Sequence, residues 1–166
     1  MKTKSFFTAD QFTATQWDAV EVKAEFANHL LTFILQEFPE AMFTHKFYDR
    51  LHLTFGFIAH YNREGFKDFW FSTTATKADF IEALCSWPCW GDPQFTYSDV
   101  ERAVCAKIAE LNLLAAWRER QGHEQHNREL ATLKRLQEKY QPATVVPVPE
   151  PITIETQTGE QLALIA

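Results

Sequence analysis

Val20, Ala24, Ala27, Leu31, Ile34 and Phe38 recur at three- and four-residue intervals, while Glu21, Glu25, Asn28 and Gln36 fall where they can turn outward. This period predicts an amphipathic helix over residues 16–38, capped by Thr15, with Asp18 and Glu21 favourable to its dipole and Pro39 ending it. The next stretch, FTHKFYDRLHLTFGFIAHYNREGFKDFWF from Phe43 to Phe71, carries two competing periods. As a helix it aligns Phe43, Phe47, Leu51, Phe55, Ile58 and Tyr61 on one broad face for about five turns. As a strand, Leu51, Leu53, Phe55 and Phe57 alternate with His52, Thr54 and Gly56, and a turn at 62–65 returns the chain through 66–71. The helix is preferred because its pattern starts earlier and β-branched residues are scarce.

Further along, Thr76 followed by Asp79 resembles a helix cap, with Phe80, Ile81 and Leu84 as apolar positions before Pro88 stops the helix. Residues 85–97, CSWPCWGDPQFTY, lose periodicity and read as a loop packed on the body through its aromatics. Ser98 and Glu101 have capping-box spacing and open a helix near Asp99, with Val100, Val104, Ile108, Leu111 and Leu114 at core positions. A polar stretch after Trp117 leads to an apolar stripe of Leu130, Leu133, Leu136 and Tyr140, with Gly122 as a point of kinking or division. Prolines at 142, 147, 149 and 151 then favour an extended linker, and the last residues alternate around Thr158 and Gly159. That tail is expected to be disordered, docked on the body, or paired with a partner's sheet.

The fold prediction is mainly α: a single helical globular domain over 1–140 with a long late helix, then a Pro-rich linker and an extended or hairpin tail over 141–166. The alternative is α+β, with an aromatic hairpin near 51–72.

Composition supports a self-sufficient core. The 166 residues include 15 Phe and 5 Trp, enough aromatic volume to need no metal or disulfide staple. Net charge is −6, divided as about −5 through Trp117, about +2 over residues 118–139 and about −3 beyond. The balance disfavours nucleic-acid coating and leaves only a weak local patch of Arg118, Arg120, Arg128, Lys134 and Arg135. Three cysteines do not make a secreted disulfide framework. The N-terminus has no apolar signal core, and no run reaches the roughly 18 to 20 apolar residues of a membrane span. A cytoplasmic protein without membrane attachment is expected.

The sharpest polar constellation is His45, Asp49 and His52, one stripe of the aromatic helix extended by His60 and Arg63. Neighbouring members can orient an imidazole or share a divalent ion. His45 and His52, about 10 Å apart along the axis, cannot ligate one zinc without another segment. A solvent-facing stripe is the preferred reading. Cys85 and Cys89 together with His123 and His126 offer four tetrahedral ligands for zinc, but the spacing is unfamiliar, Pro88 breaks the cysteine helix, and buried thiols are preferred for Cys85 and Cys105. No cofactor is predicted, with zinc or another divalent metal as the alternative.

The chain lacks phosphate-loop, dinucleotide-fingerprint, zinc-protease and nucleophile-elbow motifs, and no carboxylate pair stands in apolar surroundings. Binding is therefore favoured over catalysis. Trp17, Trp87, Trp90 and Trp117, with Phe69, Trp70 and Phe71, exceed what a core needs, and aromatics anchor interfaces. The expected function is a noncatalytic interaction or regulatory module that engages a protein partner or a second copy through Trp87, Trp90, Leu130, Leu133, Leu136 and Tyr140. The rivals are a metal-dependent enzyme using the His/Asp stripe and a weak nucleic-acid-binding accessory protein.

Overall fold

The computed structural model describes residues 5–55, 62–86 and 90–140. Within them are six α-helices and no strand: α1 (Val20–Leu35), α2 (His45–Thr54), α3 (Arg63–Phe71), α4 (Thr74–Ser86), α5 (Ser98–Glu110) and α6 (Leu113–Tyr140). The chain divides into two compact units, Met1–Arg128 and Glu129–Ala166, the division falling within α6.

The helical reading of the aromatic stretch holds for α2, which ends at Thr54 after 10 residues instead of running about five turns, and α3 is a separate helix. Thr44 caps α2 by accepting from the Phe47 amide at 3.2 Å, and Asn62 caps α3 by accepting from the Gly65 amide at 2.7 Å. The hairpin alternative fails because Leu51 to Thr54 lie in α2 and Phe66 to Phe71 in α3. Phe43, Phe47, Leu51 and Phe55 are all buried on the predicted face, whereas Ile58, His60 and Tyr61 lie outside the described residues.

Local hydrogen bonding corrects several predicted helix ends. Thr15 does not cap α1; its hydroxyl accepts from the Trp17 and Asp18 amides in a separate turn, and the helix starts at Val20. At the other end the Phe38 amide donates to Phe33 O and the Glu37 amide to Ile34 O, a Schellman closure with Glu37 at φ 66°. The α4 cap is Thr73, whose hydroxyl accepts from the Thr76 amide, rather than Thr76 itself. No capping box forms at Ser98, whose hydroxyl donates to Gly91 O while Glu101 is buried. Gly122 does not divide the late helix, which runs 28 residues through it. The tail expectation, residues 141–166, falls outside the described residues.

The core of the first unit is an aromatic cluster assembled from α1 to α4. The Phe43 ring lies between Phe33, stacked at 5.8 Å, and Phe66, stacked at 5.7 Å, and meets Phe71 edge-on at 5.3 Å. Phe38, held in place by the Schellman turn, adds edge contacts to Phe80 at 5.9 Å and Trp117 at 5.4 Å. Asn28 was expected to face solvent. Instead its carboxamide accepts from the Phe6 and Phe7 amides and donates to Phe7 O, fixing the N-terminal segment on α1.

Candidate interaction cleft

A buried lysine organises the region where α1, α2 and α5 approach the 90–97 segment. Lys23 shares the α1 face of Ala27, Leu30 and Ile34 and is fully buried. Its ammonium donates to Pro93 O at 2.8 Å, Thr96 O at 2.9 Å and the Asp99 carboxylate at 2.9 Å, matching three donors with three acceptors. The same carboxylate accepts from the Thr13 amide at 2.9 Å. One side chain thus ties the loop before α5 and the N-terminal segment to the first helix.

A second network lies next to it. Arg50 grips Asp18 with both terminal nitrogens, at 2.7 and 3.2 Å, and donates to the Tyr97 hydroxyl at 2.7 Å. Tyr97 in turn donates to Asp18 at 2.9 Å. The Arg50 hydrogen bond holds the Asp18 carboxyl below its ordinary 3.8, against the opposing effect of burial, and Asp18 in turn raises Arg50. Burial first, and donation to Asp18 second, push the Tyr97 phenol far above its ordinary range. Both Asp18 and Tyr97 therefore move away from neutrality, the opposite of what proton transfer at pH 7 requires.

These anchored residues position three exposed apolar side chains. Trp17 adjoins Asp18, Leu53 follows Arg50 by nearly one turn of α2, and Phe95 precedes Tyr97 by two residues. Their exposures are 71%, 77% and 58%. Together with Thr54, Thr96 and Glu101 they line a cleft of about 390 Å³ over the Asp18–Arg50–Tyr97 network. Arg50 and Leu53 also border a neighbouring cleft of about 510 Å³ between α1 and α2, floored by Val22, Phe26 and Phe47.

The residues expected to form a polar stripe fall in different surroundings. His45 and Asp49 are exposed, and Asp49 borders the α1–α2 cleft. His52 is half-buried against Tyr48, and its Nδ1 has no hydrogen-bond partner among the described residues. Arg63 donates through Nε and Nη2 to Phe43 O at 2.8 and 2.6 Å and covers the Phe43 ring. His123 and His126 are exposed on α6, while Cys89 lies outside the described residues. Among the described residues, no three His, Cys, Asp or Glu side chains gather closely enough to hold a metal ion.

Of the aromatics read as surplus, Trp117 is buried, Trp70 and Phe71 are half-buried, and Trp17, Phe69 and Trp90 are exposed; Trp87 lies outside the described residues. Leu130, Leu133, Leu136 and Tyr140 are exposed. The Trp17–Leu53–Phe95 cleft was not legible as a unit, because its members are 36 and 42 residues apart in sequence. One signal did point to it: a lysine on an otherwise apolar helical stripe demands buried acceptors.

Among the described residues, no helix is long and apolar enough to cross a membrane. Comparison of the chain with known protein families, curated proteins and solved structures finds no match.

Proposed function

We propose that this chain is a noncatalytic protein-interaction module of the cell interior, with the Trp17–Leu53–Phe95 cleft as its recognition surface. The observation that carries the reading is three large apolar side chains, all more than half exposed, converging from three segments that partly buried polar networks hold in place. Scattered exposed apolar residues are ordinary, but a convergent set on a rigid base resembles an interface anchor site whose ordering cost is met before binding.

The partner that fits is a protein segment presenting a large apolar side chain flanked by basic residues. The apolar side chain would fill the cleft, and the basic flanks would complement a body carrying about −5 charges through Trp117. The exposed stripe of Leu130, Leu133, Leu136 and Tyr140 is by itself a separate apolar surface for a partner helix or a second copy.

The test compares immobilised wild type with Trp17→Ser/Phe95→Ser, capturing partners from cell extract and then titrating the purified partner. Because both side chains are exposed, the thermal midpoint should stay unchanged, while affinity falls about tenfold or more for each truncated anchor. Equal affinity of the folded double variant for the captured partner would sink the proposal.

A further inference from the structure

We propose that the cleft between α1 and α2 is a small-molecule site for an arylalkylammonium, an apolar ring system carrying one protonated amine. The cavity measures about 510 Å³, within the size range of pockets that enclose small organic ligands. Its floor is aromatic. Phe26 and Phe47 are buried with ring centroids 6.0 Å apart, and the His29 imidazole lies 4.3 Å from the Phe47 ring. Val22 and Leu53 add aliphatic surface to the walls. Neither Trp17 nor Phe95 lines this cleft, so small-molecule binding here is independent of the recognition reading above.

The polar groups around the floor are set to receive hydrogens. His29 Nε2 lies 3.0 Å from Met42 O, and because a carbonyl only accepts, Nε2 carries the hydrogen. In the neutral ring Nδ1 is then an acceptor, and it has no partner among the described residues. Glu25, one turn before His29 on α1, and Asp49 on α2 add carboxylates that border the cleft and are exposed. Arg50 also lines it, but Asp18 matches that charge at 2.7 and 3.2 Å. Two carboxylates against the single ammonium of Lys46 leave one negative charge, which a monocation neutralises. An apolar carboxylate of the same shape would meet these acceptors with only Lys46 to receive it.

The walls are braced before any ligand arrives. The His29 bond ties α1 to the turn before α2, and the Arg50 pair ties α2 to the segment before α1, so little ordering remains to be done on binding. In the bound state the ligand's ring lies on the Phe26 and Phe47 floor while its ammonium donates to the acceptor rim. Water and salt screen the exposed carboxylates, which limits the affinity.

The experiment titrates isotopically labelled full-length protein with tryptamine at low salt and follows the backbone amides by NMR, with indole-3-propionate and neutral tryptophol as matched probes. Saturating shifts should centre on Val22, Phe26, His29 and Phe47, with a Kd on the order of 0.1–1 mM and about tenfold tighter binding than the acid. Glu25→Gln/Asp49→Asn alters two exposed side chains, so the thermal midpoint should hold while tryptamine affinity falls to that of tryptophol. Equal affinity for amine and acid, unchanged amine affinity in the folded double variant, shifts centred on Trp17 and Phe95, or no saturable shift at millimolar amine would each overturn the proposal. A basic amphipathic peptide that moves the α1 and α2 amides where tryptamine does not would also overturn it, assigning the groove to a protein segment.

Discussion

Lys23 shows how much one residue can decide. Its ammonium is fully buried and spends its hydrogen-bonding capacity on two carbonyls and the Asp99 carboxylate, which is itself only 11% exposed. Lys23→Ala should therefore destabilise by about 3–5 kcal/mol, because it strands a buried anion as well as removing a partner. Urea unfolding would measure the loss, and a change within 1 kcal/mol or so would mean that water replaces the ammonium. Asp18 gives a pH-dependent counterpart. Its carboxyl is held below 3.8 in the folded state, so the stabilisation is present above the unfolded value and is lost as pH falls through the folded one. Between about pH 5 and pH 2 the urea midpoint of wild type should fall more steeply than that of Asp18→Asn. Parallel slopes would show that Asp18 contributes no linkage.

At the scale of helices, the junctions carry the informative strain. Glu37 occupies the left-handed position of the Schellman closure, where most structures place glycine, and its carboxylate pairs on the surface with Arg120 at 2.9 Å. The backbone cost of a side chain there is about 1–2 kcal/mol, while an exposed ion pair contributes at most about 1 kcal/mol. Glu37→Gly should consequently raise the thermal midpoint, and a lowered midpoint would show the Arg120 pair to be the larger effect. Asn112, at φ 53° between α5 and α6, already suits its left-handed position because its short side chain tolerates that region.

For the molecule as a whole, stability rests on rings rather than on staples. Phe33 is fully buried and touches Phe38, Phe43, Phe47 and Phe71, so it joins α1 to α2, α3 and the turn between α1 and α2. Truncation in Phe33→Ala should cost about 3–5 kcal/mol, a large share of the 5–15 kcal/mol that typically separates folded from unfolded. Calorimetry should show a midpoint many degrees lower; a shift of only a degree or two would indicate that neighbouring rings collapse into the gap. Trp17, Leu53 and Phe95 add little to this core. Their placement is understandable if their apolar surface is used in binding, and the double substitution described above separates that use from folding.

The sequence alone determined the mainly helical class, because three- and four-residue apolar spacing over α1, α5 and the late apolar stripe outweighed the aromatic stretch, whose two periods left a hairpin open. It also determined which side of α1 is buried, since period and burial are the same information read twice. Exact helix ends were less legible, because Thr15, Thr76 and Ser98 are competent caps whose hydroxyls found other partners in the folded chain. Only the tertiary structure brought Lys23 to Asp99, and Asp18 to Arg50 and Tyr97. Those pairings join residues 32 to 79 positions apart, and no local period encodes which polar groups meet once the apolar faces have packed.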